Sequence, residues 1–469
     1  MQSDNDQPDS PGWQDFAERK VTRRRLLKQA AAAGAGLTAA SYLPALAKAT
    51  TGPGLTPRYK GMGHFIVNVT SLESYNRGLK EAWAQLGQAF VEQSYDGDTQ
   101  KAISQAELFG GLGVKMASSY LSGDAAYTPY VQALAKQGIY YVNLANSIPW
   151  RYPLEPKFRG HHLMHIQASF ADESYLVAKT LFQAVGGEGE LIHLQGVVGD
   201  ASDTQRSAGF FRALKEYPKI KVVASQATNW DRVKAQAATE ALVPAHPKVR
   251  MIFAQNDSIG SGAVAALRSL RKKDVKVVGV DGDPDFLKMI VDGDYAIATS
   301  ATRLDHVGFI AAARLFDQLH GAGNLWDPIE SMLRVDDVFI DTPAAAQALL
   351  NLTPANKPLP YNAKLISRHL HPKDWKVPGL VQIMDPYFEW GPGGPNPHKQ
   401  PAGLVIPPAY KRSLTAAHAE ALNRRYASRA VDVYASVRAK AKYKGHVLGT
   451  LKKLGIPGYR PYTAPKGYR

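Results

Sequence analysis

The feature that most constrains the fold is a regular alternation of short apolar runs with longer helix-like segments. The run HFIVNV (64–69) precedes SYNRGLKEAWAQLG (74–87), and this rhythm continues over roughly residues 60–165. A second series over 169–298 includes the strand-like runs VRMIFAQND and VKVVGVDGD. Strands that alternate with helices of about ten or more residues predict βαβ units and parallel sheets. We therefore expect an α/β protein with two doubly wound sheets.

The chain also returns to a strand pattern late. After residues 298–300 it enters another helix-like segment, LDHVGFIAAARLFDQLHG, and then the apolar run DDVFID (336–341). A strand this far downstream of the second series indicates that the two lobes are interleaved in sequence.

The run FAQNDSIGSGA (253–263) shows how such a strand ends. It stops at three polar residues, Gln255, Asn256 and Asp257, just before a Gly/Ser-rich helix start. These residues either cap the helix or face a ligand, because ligands of open α/β sheets bind at the carboxyl ends of the strands. The stretch VVGVDGDPD fits the same position.

The composition and the charge distribution of the chain argue against several classes of function. The absence of cysteine excludes disulfides, thiolate metal sites, Fe–S clusters and a thiol nucleophile. The net charge is +15, but from Asn351 to the end the chain has 20 Lys/Arg and 5 Asp/Glu, so residues 1–350 are neutral overall. A basic tail on a neutral body argues against nucleic-acid binding by the main domain. We also find no convincing catalytic constellation, and we predict no enzyme activity, no cofactor and no metal site.

The first 49 residues have the pattern of an export signal. Arg23-Arg24, preceded by Thr22, resembles the twin-arginine motif of folded-protein export, and a weakly apolar Ala/Gly/Leu stretch follows it. Small residues around 45–49 offer cleavage sites, and the apolar run is too rich in Ala and Gly for a convincing membrane span. We expect residues 1–49 to be a twin-arginine signal peptide and the mature protein to be periplasmic.

The body, from about Gly61 to Asp341, resembles a known family. The likeness is strongest in GFFRALKEYPKIKVVASQATNWDRVKAQAATEALVPAHPKVRMIFAQNDSIGSGAVAAL and in VKVVGVDGDPDFLKMIVDGDYAIATSA. These motifs, in this order and spacing, resemble the periplasmic sugar-binding proteins of ABC importers, of the ribose-binding type. The resemblance implies two Rossmann-like lobes, a sugar in the cleft between them, and hinge closure that presents the closed form to a membrane permease.

The resemblance also implies three hinge crossovers, which we place near 167–168, 299–301 and 335–336. The expected domains are the signal peptide, two interleaved lobes and a basic C-terminal extension. Their bounds are 1–49 for the signal, 58–167 with 302–335 for lobe 1, 168–301 with 336–342 for lobe 2, and 343–469 for the extension.

Four positions match ligand-site positions of the family. The resemblance implies that Asn256 is the ligand amide and that Asp281 is the carboxylate that accepts hydroxyl protons, with helix capping and an Asx turn as the alternatives. Trp230 stands where the family often stacks an aromatic ring on the sugar, or else lies in the core. Arg206 belongs to a motif of the family and either contacts the ligand or braces the helix start. If Asn256 faces the ligand, Asp257 is expected to cap the helix.

Elsewhere the sequence departs from the family pattern. Thr204 stands where a ligand arginine is frequent, Ala145-Asn146 where an Asp-Arg pair is frequent, and Thr302 where glutamine is usual. The departure removes charge-assisted bonds worth about 1.5–3 kcal/mol each. We therefore expect a ligand that is larger, less hydroxylated or differently held than ribose or glucose. The rim of lobe 1 and a nearby loop supply further candidates, which are Asn68, Thr70, Ser71, Tyr75 and Trp150.

The family does not explain the extension. Its Pro/Gly-rich part (377–408) predicts either an ordered wrapping segment or a tethered linker. A helical pattern follows over about 410–443, with an apolar stripe that includes Leu414, Ala417 and Leu422. Either this helix docks on a lobe with its charges in solvent, or it forms a basic patch for an anionic membrane or permease surface.

The sequence thus predicts a monomeric receptor that binds a small carbohydrate or polyol and delivers it to ABC permease subunits. One alternative is a periplasmic sensor that feeds a chemoreceptor or a two-component system. Others are a receptor for a non-sugar metabolite and an exported enzyme.

Overall fold

Helices and strands alternate along most of the chain in the computed structural model, which describes residues 59–65, 69–121, 124–145, 147–384, 386–391, 398–408 and 415–450. The predicted signal peptide, Asn68, Asn146 and Leu414 lie outside the described residues. The strands are β1 Lys60–Phe65, β2 Ala89–Ser94, β3 Val114–Ser119, β4 Tyr140–Leu144, β5 His162–Ala168, β6 Glu188–Gln195, β7 Lys219–Ala227, β8 Val249–Ala254, β9 Lys276–Val280, β10 Ala296–Ala301, β11 Met332–Val335, β12 Val338–Ile340, β13 Val377–Pro378, β14 Val381–Ile383 and β15 Ala430–Val431.

The helices lie between these strands and continue into the extension. They are α1 Thr70–Gln85, α2 Thr99–Ala106, α3 Asp124–Lys136, α4 Phe170–Ala184, α5 Ala201–Leu214, α6 Arg232–Ala245, α7 Asp257–Ser269, α8 Pro284–Asp292, α9 Leu304–Leu319, α10 Pro343–Leu352, α11 Ala363–Ile366, α12 Pro386–Trp390, α13 Ala416–Arg429 and α14 Ala435–Arg438.

Two separate sheets form the two lobes. The first has the order β14-β11-β5-β4-β3-β1-β2 and the second has the order β12-β10-β9-β8-β6-β7. All neighbours are parallel except at one edge of each sheet, where β14 and β12 run antiparallel to β11 and β10. Central strands such as β8 are buried on both faces, which explains their nearly continuous apolar sequences. The prediction of two doubly wound lobes is confirmed.

The chain passes between the two sheets at three places. It leaves the first sheet after β5, returns to that lobe between β10 and α9, and leaves it again between β11 and β12. Helices α1 and α9 pack closely beside these passages because both have a glycine at the contact. A Cβ at Gly78 would lie 2.1 Å from the carbonyl oxygen of Asp305. This close packing positions the loop before α9 at the junction of the lobes.

The extension wraps around both lobes. Strand β14 adds an edge strand to the first sheet, and α10 packs on α8 of the second lobe. Of the two alternatives, an ordered wrapping segment is therefore the one observed for its described residues. The single long helix predicted over about 410–443 is wrong beyond Arg429. There the chain turns into β15, which pairs with β13, because its contacts with other parts of the extension override the local helical pattern.

Among the residues that the structure describes, none of the helices combines the length and the apolar character needed to cross a membrane.

Candidate functional site

A small cavity lies between the two lobes, where the carboxyl ends of their strands face each other. Its volume is about 50 Å³. Side chains from both lobes line it, and they are Val69, Ser71, Leu72, Tyr120, Ala145, Phe170, Ser202, Arg206, Trp230, Asn256, Asp281, Thr302 and Leu304. The structure thus brings six of the nine predicted site residues to one place.

Arg206 is the centre of the polar network in this cavity. It projects from α5, and its Nε donates to Glu173 Oε1 at 2.9 Å. Its Nη2 donates to Asp281 Oδ1 at 2.6 Å, and its Nη1 donates to the carbonyl oxygen of Gln255 at 2.8 Å. The guanidinium also lies over the rings of Phe170 and Trp230, at 5.1 and 5.7 Å from their centroids. Arg206 thus joins α4, the end of β8 and the loop after β9 at the cavity, and both of its predicted roles, ligand contact and bracing of the helix start, stay predictions.

Glu173 was not predicted from the sequence. It lies in the first turn of α4, fully buried, and accepts from Arg206 and from Thr302 Oγ1 at 3.2 Å. Burial raises the pKa of Glu173 to about 7, and the opposing charge of Arg206 limits that rise. Glu173 and Asp281 therefore share one guanidinium, and Thr302 links the two carboxylates.

Asn256 lies just beyond β8, which ends at Ala254, and caps α7. Its Oδ1 accepts from the Ile259 backbone N–H at 2.8 Å. Asn256 lines the cavity, and its Nδ2 makes no hydrogen bond within the described residues. The expectation that Asp257 caps this helix is wrong. The Asp257 carboxylate points back into lobe 2, where it accepts from the backbone N–H of Asp283 and from Thr299 Oγ1, each at 2.8 Å. Asp257 instead fixes the loop that carries Asp281.

Asp281 sits directly after β9 in an unusual backbone conformation, with φ of 117°. Its backbone N–H donates to the carbonyl oxygen of Ser300 at 2.8 Å. Only Oδ1 of its carboxylate is bonded, to Arg206 and to Thr302, whereas Oδ2 has no partner in the described part of the chain. One acceptor oxygen of Asp281 is therefore unsatisfied within the described residues.

Two aromatic rings flank these polar groups. Trp230 has φ of 62°, and its ring lies where a side chain at position 196 would stand, since a Cβ on Gly196 would be 2.1 Å from Trp230 Cζ2. Phe170, at the start of α4, was not predicted. It lies just after β5, at the carboxyl end of a strand, where ligands of open α/β sheets bind. Aromatic rings at such positions can pack on the apolar C–H faces of a hydroxylated ligand.

The two lobes touch each other across the cavity. The hydroxyl of Tyr120, after β3 of lobe 1, donates to Asp200 at the start of α5 in lobe 2. Gln205 Nε2 donates to Ser147 Oγ at 3.2 Å. These contacts describe a closed arrangement, so a ligand of sugar size requires the lobes to separate before it enters.

Two of the predicted residues that the structure describes, Tyr75 and Thr204, do not line the cavity. Tyr75 is buried in lobe 1, where its hydroxyl is bonded to Ser118, and Thr204 lies on α5 outside the lining. Asn146 lies outside the described residues. Trp150, the loop candidate, packs in the core with its ring 5.9 Å from that of Trp390. Tyr120 and Ser202 were missed because they occupy loop and helix-start positions without a distinctive motif.

The described residues hold no group of three or more His, Asp or Glu side chains placed to bind a metal ion.

A model of the periplasmic binding protein domain matches residues 64–323, which is more than half of the chain. The chain belongs to the periplasmic binding protein domain family. The family resemblance expected from the sequence is thus confirmed.

The relatives of this periplasmic binding protein are named as binding proteins rather than enzymes. It is 36% identical to the ribose import binding protein of Escherichia coli over 150 residues, or 32% of this chain and 50% of that protein. It is 27% identical to a D-apiose import binding protein of Actinobacillus succinogenes over 223 residues, or 48% of this chain and 69% of the relative. The chain spans only about half the length of the ribose-binding relatives that it matches.

A solved structure gives the same fold. The ABC transporter periplasmic solute-binding protein of Actinobacillus succinogenes with bound D-allose is 25% identical to this periplasmic binding protein, with a TM-score of 0.54. The superposition covers 62% of this chain and 100% of the other.

Proposed function

We propose that the protein captures a carbohydrate or polyol between its lobes and delivers it to the permease of an ABC importer. The observation that carries the proposal is that one cavity is lined by two aromatic rings and by two polar side chains that each keep an atom without a hydrogen bond in the described part of the chain. Asp281 Oδ2 accepts hydroxyl protons and Asn256 Nδ2 donates to hydroxyl oxygens, while Trp230 and Phe170 cover the C–H faces. The binding of ribose, apiose and allose by similar proteins supports the same ligand class.

The proposal includes a periplasmic location reached by the twin-arginine route. Arg23-Arg24 and the weakly apolar stretch after them support this route. The working lobe boundaries are 58–167 with 302–335 and 168–301 with 336–342, and the receptor acts as a monomer.

Thermal unfolding of the mature protein against pentoses, hexoses, disaccharides and polyols tests the proposal. A ligand at about 100 times its dissociation constant adds about 2.7 kcal/mol to the free energy of unfolding, which raises Tm by a few degrees. We expect one sugar or polyol to give this shift and Asp281→Asn to abolish it.

Asp285→Asn is the matched control, because Asp285 belongs to the same segment and its side chain is 61% exposed. The control should keep the full shift. A shift given only by a non-sugar metabolite, or a shift that survives Asp281→Asn unchanged, would contradict the proposed ligand class or the proposed site.

A further inference from the structure

A second, larger chamber lies beside the cavity between the lobes. This chamber has a volume of about 460 Å³. Ser71, Asp281 and Leu304 line both spaces, so they form a shared wall. A ligand held by Asp281 therefore has the chamber directly beside it.

The two spaces differ in volume, and this difference indicates how large a ligand group each of them can hold. Small-molecule sites in proteins usually measure roughly 300–1,000 Å³. The inner cavity, at about 50 Å³, is far below this range, and the chamber, at about 460 Å³, lies within it. The larger share of the space near Asp281 is thus in the chamber.

The chamber wall has a mixed chemistry. The hydroxyls of Thr70, Ser71 and Ser74 stand at the start of α1, and both acidic and basic side chains surround them. The basic Arg303 is already paired with Asp305, and Lys288 lies within 3.4 Å of Asp285. Such a surface suits neither a polyanion nor a lipid tail. Apolar patches complete it, and they are Pro284, Leu287, Leu304, Leu350 and Pro354. Hydroxyls and charges between apolar patches suit a neutral, hydroxylated group.

The C-terminal extension supplies the outer wall. Leu350 and residues 353–355 line the chamber, and they lie beyond the segment 64–323 that matches the family. Lobe 1 holds this wall in place, because Arg77 on α1 donates to the carbonyl oxygens of Pro354, at 3.4 Å, and of Lys357. Glu81 on the same helix accepts from the Leu359 backbone N–H at 2.7 Å. The chamber is therefore a feature of this chain and not of the matched domain alone.

We propose that the ligand consists of two linked hydroxylated units, such as a disaccharide or a glycosylated polyol. The first unit binds Asp281 and Asn256 between the lobes, and the second occupies the chamber under the extension. The inference rests on the proposed function, since it assumes that the inner cavity binds a sugar or polyol.

Calorimetric titration with single-unit and two-unit probes tests the inference. The single-unit probes are D-ribose, D-xylose, D-glucose and xylitol, and the two-unit probes are maltose, cellobiose, trehalose, sucrose and glucosylglycerol. We expect a two-unit probe to bind the parent protein at least tenfold more tightly than any single-unit probe. Ser74→Trp, which fills the chamber from α1, should remove this advantage and leave the affinity for single units unchanged.

Lys80→Trp on the exposed side of the same helix is the control and should bind like the parent. Ala355→Trp fills the chamber from the exposed loop of the extension, so the test holds even if Ser74→Trp fails to fold. If a single-unit probe binds most tightly and neither chamber variant alters any affinity, the inference is wrong but the proposed function stands. If no probe of either size binds, both fail.

Discussion

At the scale of single residues, the site depends on the ion pairs and hydrogen bonds that the Arg206 guanidinium makes. The guanidinium is buried and satisfies two carboxylates, Glu173 and Asp281, together with a backbone carbonyl. A buried charge is tolerated only when it is paired and hydrogen-bonded, so these groups form one unit. The arrangement also holds Asp281 in place, because its Oδ1 is bonded to Arg206 and to Thr302.

Replacement of Arg206 by alanine should therefore be severe. Arg206→Ala leaves two buried carboxylates without a cation, and we expect a loss of about 3–5 kcal/mol in the free energy of unfolding, with ligand binding abolished. Urea denaturation measures the first effect and titration the second. Lys215→Ala, at the exposed end of the same helix, should change stability by less than about 0.5 kcal/mol. Similar values for the two variants would show that the network contributes little.

His193 provides a separate prediction about pH. It is buried on β6, stacks on Phe210 at 4.5 Å, and is hydrogen-bonded to Ser225 and Gln255. Burial lowers the pKa of His193 from 6.5 to about 3. Between these two values the unfolded chain binds one more proton than the folded protein, so His193 makes the protein less stable as the pH falls through this window.

His193→Gln removes this contribution. We expect the stability advantage of the parent over the variant to shrink by about 1.4 kcal/mol for each pH unit below about 6, because all shared groups cancel in the difference. Chemical denaturation of both proteins at pH 7, 6 and 5 measures it. A difference that stays constant over this range would contradict the pH argument.

At the scale of elements, the junction between β8 and α7 explains why a buried strand ends in three polar residues. Gln255 accepts from the Gly196 backbone N–H at 3.0 Å and donates to Ser207 at 2.7 Å, so it joins neighbouring segments of lobe 2. Asn256 caps the helix and faces the cavity, and Asp257 anchors the Asp281 loop. Capping and ligand binding, which the sequence presents as alternatives, are compatible in Asn256. Its Oδ1 accepts from the helix backbone, while its Nδ2 is a separate donor.

Two substitutions at this position separate the two roles. Asn256→Ala removes both and should lower the free energy of unfolding by about 1 kcal/mol. Asn256→Ser keeps an oxygen for the helix cap but lacks Nδ2, so stability should remain within a few tenths of a kcal/mol of the parent while ligand affinity falls. Thermal unfolding with and without ligand measures both quantities. Normal affinity in Asn256→Ser would exclude a ligand contact by this amide.

At the scale of the whole molecule, the extension joins the two lobes at their crossovers. Asp336, in the passage between β11 and β12, is buried and accepts from Arg438 Nη2 at 2.8 Å, from the Leu448 backbone N–H at 2.7 Å, and from His446. Asp341 and Asp172 of the second lobe accept backbone N–H groups of Lys442 and Gly449, at 2.7 and 2.9 Å. Domain closure in this fold needs movement at these passages, so the extension is placed to resist it.

Arg438→Ala tests this connection. It leaves Asp336 buried without its arginine, and we expect a loss of about 3–5 kcal/mol in the free energy of unfolding by urea denaturation. Arg424→Ala is the control, because Arg424 and its partner Glu420 are 68% and 63% exposed. Surface pairs of this kind contribute about 0–1 kcal/mol. Equal, small effects of the two substitutions would mean that the basic extension is only loosely attached at the crossover.

The sequence by itself determines the two parallel sheets, the family and the strand ends that meet at the cavity. Apolar runs and helical spacing are local properties of the chain, and the carboxyl ends of parallel strands necessarily share one edge of a sheet. For this reason the strand ends at Asn256 and Asp281 were placed near the cavity without a structure, whereas the place of Trp230 came from the family resemblance; all three line the cavity.

Only the tertiary structure decides which buried donor or cation pairs with which acceptor or carboxylate. The pairing of Glu173 with Arg206, the cap at Asn256, the end of α13 at Arg429 and the chamber under the extension all depend on contacts between distant parts of the chain. Such contacts produce no periodic pattern of residues in the sequence. They depend instead on which residues are buried together, because every buried polar group needs a partner.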